Sequence, residues 1–499
     1  MKFFSRPFLI AVGVAIIKFL IPLFAIHAEY QLHRDEYLYL AEGRHLAWGF
    51  DEVPPAIPFL GWVSFHLGNS INAVRLWGGI FGALTALLLG AIVNRLGGKW
   101  LAQILAGLAF LFSSYLRIHI LFQPNFLDIF FWSLISYSLI SFFVTEKSKW
   151  LYVAGTGLGL GVLSKYMIVV FAFSMFIGIL FTRQRRLLLN KHLWFAMILA
   201  FLIALPNLIW QIVHDFPAVH HVQELQQTQL QFISPMSFLI GQVLMMVNSF
   251  PLWIVGVFAL ALAAYNQSLR FFAWAYLIML FIFYFTGGKD YYTLGFYPLL
   301  FSAGGVWFEK GGQLRSYFGY ALVALIVGVG VLIVPIALPL LSPQEQASFG
   351  KRRHLEQFGE LTWEDGKIHP LCQDFADMLG WEQLAEKTSA VYNNLPDSIQ
   401  KKTAIYCYNY GEAGALWFYQ KKYPMPPPLS ESSSFKLWFP AGIPDVSSVI
   451  IITDNNKPPE SDGRFELSEI ELMDSVSNPL AREYRSKIYF VGSLKYLGK

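Results

Sequence analysis

Charge is what this sequence has little of. Lys and Arg number 37 and Asp and Glu 33 among 499 residues, 14% in all, against roughly 25% in an ordinary soluble domain. An entirely soluble fold is excluded on that ground. The 55% hydrophobic and 17% aromatic content is that of a polytopic membrane protein. A formal charge of +4 gives a nucleic-acid partner no support, and its distribution along the chain carries more information than its sign. Cysteine is nearly absent as well. Cys372 and Cys407 are the only two, so no CxxC metal or redox motif is available. They suit either one disulfide in an oxidising compartment or two isolated buried thiols. No Walker A sequence occurs, which leaves ATP-driven transport by this polypeptide unsupported.

What the chain does have is long apolar runs. A span across ~30 Å of hydrocarbon needs about 20 residues, and such runs repeat as far as Pro339. They fall near Phe8 to Ala28, Val74 to Asn94, Leu101 to Arg117, Asp128 to Val144, Leu151 to Leu163 and Met167 to Phe181. The others are Leu193 to Ile212, Pro235 to Ala259, Phe271 to Thr286, Leu294 to Phe308 and Phe318 to Leu338. These make about eleven expected transmembrane helices, several of them short enough to merge or tilt. Between them, Lys2 and Arg6, Arg95 and Lys99, Lys147 and Lys149, Arg183, Arg185, Arg186 and Lys191, Arg270, and Lys310 and Arg315 form short basic segments. Basic loops mark the cytoplasmic side. The alternate segments, Glu29 to Ala73, Ile118 to Leu127, His214 to Ser234 and the turn around Lys289, then lie outside. An odd span count puts everything after Leu341 outside too. The first run has a basic start and ends in "AIHAE" like a secretory signal, but its length and its fit to the alternation favour a retained span.

From Ser342 onward charge, Pro and Ser return. Helical periodicity in Asp374 to Leu395 precedes a strand candidate, "KTAIYCYNY", a small-residue helix candidate, "GEAGALWFYQ", and two more strand candidates, "SSVIIITD" and "SKIYFVGSL". The expected organisation is a membrane domain over 1–341 with a functional outer loop at 29–73, followed by an outer soluble α/β domain over 342–499. That second part has about 150 residues, a common size for an independent fold.

The polar residues of the membrane half deserve their own reading because there are so few. "HRDEYLYLAEGRHLAWGF" places Asp35 and Glu36 directly after the first span, in a loop rich in Tyr37, Tyr39, Trp48, Phe50, Phe59 and Trp62. A solvated polar flank is one explanation. Partial burial against aromatic groups is the other, and it would make a carboxylate there a candidate general base. Asp128, in "FQPNFLDIFFW", opens the fourth span. An acid at membrane depth is functional by default, although a helix N-terminus also favours an anion. Cations on that face are scarce: Arg75, Lys165 in "LGVLSKYM", and Lys289 in "GGKDYYTLGFYP". Held there, they attract phosphate or pair structurally with the acids. Gly287 and Gly288 permit close backbone approach beside Lys289, and Tyr291, Tyr292 and Tyr166 supply hydroxyls.

Two further stretches look like motifs and are not. "GTGLGLG", Gly155 to Gly161, does not complete GxGxxG and sits inside a span, where GxxxG helix packing explains it better. His214, Asp215, His220 and His221 have a spacing that suits no standard zinc pattern.

An outward-facing set of acids and cations on a multi-span scaffold suits glycosyl transfer. No nucleotide sugars are available outside the cytoplasm, so the donor would be carried on a polyprenyl phosphate. Its phosphate needs cationic stabilisation as it leaves, and the acceptor hydroxyl needs a carboxylate to take its proton. "HRDEYLYLAEG", "AVRLWGGIFGALTALLLG", "FQPNFLDIFFW", "LGLGVLSKYM", "PNLIWQIVHDFP" and "GGKDYYTLGFYP" together resemble bacterial membrane glycosyltransferases of the GT-C type. This is the group of the Rgt-like lipopolysaccharide sugar transferases, the lipid A aminoarabinose transferase and the protein O-mannosyltransferases. The resemblance covers roughly residues 1 to 340, and "YNYGEAGALWFY" also looks like the tails in this group. It implies an inverting hexosyl- or pentosyltransferase in a bacterial inner membrane. Asp35 would be the base, Glu36 would orient the acceptor or assist, and Asp128 would be the acid of the second outer loop. Lys289, Tyr291 and Tyr292 would lie near the donor phosphate, with Arg75, Lys165 and Tyr166 as further substrate contacts. A divalent metal at Asp35 and Asp128 is left open by the resemblance, and so is the acceptor: lipid A, a lipopolysaccharide core, another glycan or a protein. Two other readings compete. One is a secondary transporter or flippase, against which stand the absence of an inverted repeat and the collection of polar groups at one face. The other is a membrane-anchored binding module, for which eleven spans are excessive.

Overall fold

The computed structural model describes residues 5–228, 234–262, 264–440, 446–455, 457–461 and 465–496. Lys2 of the first basic segment, and 229–233 of the expected outer loop from His214 to Ser234, lie outside the described residues. The chain forms two compact units. The first comprises Met1–Ala25, Val53–Ile57 and Arg75–Leu338, and the second Ile26–Glu52, Pro58–Val74 and Pro339–Lys499. A division of the chain at residue 341 leaves the outer loop 29–73 with the membrane half. In the structure most of that loop groups with the C-terminal residues instead.

In the first unit every one of the eleven apolar runs falls on a helix, but the helices differ in reach. Among the described residues six are long and apolar enough to cross a membrane: Arg6–Phe24, Ile71–Arg95, Pro124–Thr145, Lys191–Val213, Gln267–Thr286 and Gln313–Ala337. Two bent pairs, Met167–Leu180 with Arg183–Leu189 and Pro235–Met245 with Val247–Ala261, raise the number to eight if each pair is one span. The expected count of eleven also relied on Trp100–Leu111, Lys149–Val162 and Tyr297–Lys310. At ~1.5 Å per residue helices of this length fall short of ~30 Å. A run of apolar residues records burial without distinguishing lipid from protein, which is why the two counts differ. This is a multi-pass membrane protein. Pro124–Thr145 is mostly buried inside the unit, whereas Lys191–Val213 exposes most of its apolar surface.

The glycine run inside Lys149–Val162 does what GxxxG packing requires. A Cβ on Gly155 would meet the Ala196 carbonyl oxygen at 2.3 Å, and one on Gly159 would meet that of Ala200 at 2.8 Å. Two helices thus touch backbone to backbone through small residues four apart on each.

The second unit holds a four-stranded sheet, β1 (Thr403–Cys407), β2 (Ser448–Thr453), β3 (Phe465–Ser475) and β4 (Lys487–Tyr496), in the order β1-β2-β4-β3. β1 and β2 are parallel, with Ile405 opposite Ile450, and the helix Tyr410–Tyr419 lies in the crossover between them. β4 runs antiparallel to both β2 and β3. One face buries Val449, Ile451, Tyr489 and Val491. Three strands match the sequence candidates. The sequence candidates omit β3 because "FELSEIELMDS" is an edge strand carrying Glu466, Glu469, Glu471 and Asp474, and this polarity hides a strand that needs only one apolar face. Cys372 and Cys407 are free and buried, so the second of their two expected states is the one found.

Candidate active site

In the second unit the helix Arg34–Arg44 begins at "HRDE" for a local reason. The Glu36 carboxylate accepts from the His33 backbone N–H at 2.9 Å, and His33 Nδ1 accepts from the Asp35 N–H at 3.2 Å, which closes a capping box. Glu36, 1% exposed, therefore starts the helix. Asp35 is turned the other way, with 31% of its side chain exposed.

Around this cap is an ion network. His33 Nε2 lies 3.4 Å from Asp377, whose carboxylate Arg482 also meets at 3.2 Å, and Arg34 Nε approaches Glu483 at 3.8 Å. Burial opposes a charge on His33, but Asp35, Asp377 and Asp374 outweigh it and raise the ring to about 10. An imidazolium has no acceptor nitrogen, so a charge on the His33 ring competes with its half of the cap. Burial alone would raise the Asp377 carboxyl, but hydrogen bonding to His33 and the nearby cations hold it below the ordinary range.

Asp35 is also held from the helix Tyr410–Tyr419. The Tyr410 hydroxyl donates to its Oδ1 at 2.9 Å, while the Arg34 guanidinium stacks 4.5 Å above the Tyr410 ring. Tyr410 reaches that position because its helix packs tightly on Arg34–Arg44: a Cβ on Gly414 would lie 2.8 Å from the Tyr37 backbone. Burial and the Asp35 charge raise the Tyr410 hydroxyl far above its usual range, so it stays protonated as a donor.

A second acidic group was missed by sequence reasoning. Glu42 is fully buried, Asp51 is buried and Glu52 partly so. Ser434 Oγ donates to Glu52 at 2.7 Å and accepts from the Asp51 N–H at 3.0 Å, and Lys436 Nζ meets Asp51 at 2.8 Å. Burial first, then the Asp51 charge, push Glu52 up to about 7; burial and Glu52 push Glu42 well above the carboxylate range. Neighbouring buried carboxyls do not both ionise, so this group holds a proton at neutral pH. The available signal was "FDEVPP", a second acidic pair in a charge-poor chain.

In the first unit Asp128 is the fifth residue of Pro124–Thr145, past the orphan amides of the first turn, and so caps nothing. It is 5% exposed and accepts from Trp132 Nε1 at 2.7 Å. Lys165, just after Lys149–Val162, donates to Asn125 Oδ1 and lies 5.0 Å and 5.3 Å from the ring centres of Tyr291 and Tyr292. It also feels the charges of Asp128 and Lys289. Gln242 accepts from Tyr297 at 2.7 Å and donates to the Asp290 carbonyl at 3.0 Å, which fixes the 3-10 turn Asp290–Phe296 that carries both tyrosines. Lys165 thus lies against Asn125, Tyr291 and Tyr292, with Asp128 and Lys289 near enough for their charges to act on it. Tyr166 is engaged elsewhere, donating to Asn207 and accepting from Gln211, each at 3.1 Å. Arg75 is buried in Ile71–Arg95. Among the described residues no group of three or more His, Cys, Asp or Glu side chains is placed to hold a metal ion.

Residues 52–210 match the family model described as dolichyl-phosphate-mannose-protein mannosyltransferase. A comparison with curated proteins finds no match. Among solved structures, ArnT from Cupriavidus metallidurans bound to undecaprenyl phosphate aligns at a TM-score of 0.63 with 15% identity, covering 97% of each chain. The apo state of the same protein gives 0.63 with 14% identity and the same coverage. The Archaeoglobus fulgidus oligosaccharyltransferase in complex with zinc and sulfate gives 0.47 with 12% identity, over 90% of this chain and 67% of that one. The family match is confined to residues 52–210, and the solved structures give the architecture: along nearly its whole length the chain has an ArnT-like fold.

Proposed function

We propose that this chain transfers a sugar from a polyprenyl-phosphate donor to a lipid, glycan or protein acceptor at the outer face of a bacterial inner membrane, with inversion. The observation that carries the reading is the Lys165 cluster, in which two cations and two tyrosines gather on an otherwise apolar scaffold. In the reaction the acceptor oxygen attacks the anomeric carbon and its proton passes to Asp35. The bond from that carbon to the phosphate oxygen breaks, and the polyprenyl phosphate leaves with its new negative charge facing Lys165 and Lys289. Asp35 suits the base because it is accessible and oriented by Tyr410, whereas Glu36 is committed to its helix cap. ArnT, of the same fold, is bound to undecaprenyl phosphate in its structure, which supports this donor class.

The topology that goes with this reading puts the basic segments at Arg95, Lys149, Arg183 to Lys191 and Lys310 in the cytoplasm. The region 342–499 then lies outside as a separate domain, with the three short helices counted among the eleven spans. The test is transfer of radiolabelled sugar from polyprenyl-phosphate donors in membranes holding wild type or Asp35→Asn at matched expression. Label should reach an acceptor only with the wild type. Consumption of no donor in a broad panel, or undiminished transfer by Asp35→Asn, would instead favour a lipid-linked sugar transporter.

A further inference from the structure

A cavity of about 430 Å³ lies in the first unit, lined by Leu139, Leu158, Phe171, Met175, Leu187 and Trp194 among other residues, all of them apolar. One wall is the 3-10 helix Arg183–Leu189, "RQRRLLL", bent by 111° from Met167–Leu180. Trp194 Nε1 pins this turn by donating to the Leu188 carbonyl at 2.8 Å. The turn has two chemistries: Leu187 and Leu188 face the cavity, while Arg183, Arg185 and Arg186 are exposed, as is Lys191 just beyond. Among the described residues no carboxylate pairs with any of these four cations.

We infer that the cavity takes an acyl chain of an anionic membrane phospholipid whose phosphate is held by Arg183, Arg185, Arg186 and Lys191. A polar ligand would lose its hydrogen bonds in such a cavity, whereas a hydrocarbon chain loses nothing. Clustered basic side chains at one end of membrane helices supply the complementary charge for an anionic lipid headgroup. The donor's phosphate is not the occupant. Met167–Leu180 has 14 residues, about 21 Å at 1.5 Å each, and separates the arginines at its C-terminal end from Lys165 at its N-terminal end. The site is thus independent of the transfer reaction and does not rest on it.

The experiment is native mass spectrometry of the purified full-length protein titrated with phosphatidylglycerol, phosphatidylcholine and a polyprenyl phosphate. Phosphatidylglycerol should bind most tightly, and Arg185→Gln with Arg186→Gln should weaken it by roughly 10- to 30-fold while leaving phosphatidylcholine unchanged. Ala172→Phe, which fills the cavity from its lining and alters no charge, should weaken it as well. Because both arginines are exposed, their variant folds, and it decides the matter if the cavity variant does not. Equal binding of the two phospholipids, full binding by the arginine variant, or preference for the polyprenyl phosphate would each overturn the inference.

Discussion

Replacing Tyr410 by Phe removes a single hydroxyl while keeping the ring on which Arg34 stacks. The lost contact is the 2.9 Å hydrogen bond to Asp35 Oδ1. Hydrogen bonds to charged groups contribute ~1.5–3 kcal/mol, and each 1.36 kcal/mol lost from a transition state is about tenfold in rate. If Asp35 takes the acceptor's proton while held by Tyr410, Tyr410→Phe lowers kcat roughly 10- to 150-fold with little change in KM for the donor. The assay is initial-rate sugar transfer by purified protein over a range of donor concentrations. A purely structural role would lower thermal stability and active fraction together, so unfolding is measured in parallel. The deciding comparison is a cycle with Asp35→Asn: once Asp35 is gone, Tyr410→Phe should cost nothing further. A kcat within twofold of wild type, or an undiminished effect in the Asp35→Asn background, refutes the assignment of Tyr410 as the residue that positions the base.

Lys165→Met should abolish donor use at least 100-fold, and Lys165→Arg should not restore it, because the slot between Asn125 and two tyrosine rings is shaped for an ammonium; labelled-donor consumption reads this. The His33 ring is raised from 6.5 to about 10, so its contribution to stability is complete below pH 6.5 and is lost as pH rises through about 10. Unfolding temperatures should therefore fall between pH 7 and 10.5 in wild type, and less so in His33→Gln. Glu52 is raised from 4.5 to about 7, so the stability it contributes below pH 4.5 is lost as pH rises through about 7. Glu52→Gln should flatten that dependence and be the more stable protein at pH 8, and a variant no more stable there than wild type would count against a buried shared proton.

How far the sequence was legible depended on which physical signal each element relied on. Apolar runs located the long helices of the first unit, because burial in lipid or in protein demands the same residues, and for that same reason they do not tell a full span from a shorter buried helix. Asp128, Lys165 and Lys289 stood out because charge at membrane depth is costly and therefore rare, and the structure gathers these three with Tyr291 and Tyr292. Asp35 and Glu36 looked interchangeable as a pair, yet a one-residue step along a helix of 3.6 residues per turn turns one carboxylate back to the His33 amide and the other to Tyr410. That split follows from the cap, which "HRDE" encodes but which only backbone geometry distinguishes from an ordinary polar flank. Tyr410 and the Glu42, Asp51, Glu52 group were illegible for a different reason: Tyr410 and Ser434, the partners that give them meaning, lie more than 370 residues away in sequence, and no local pattern reports a contact at that range. The same limit applies to the basic turn at Arg183 to Lys191, which read as a topological marker alone until the leucines beside it were found to wall a cavity. Where chemistry arises from one segment, spacing exposes it; where it arises from two, only the fold brings the halves together.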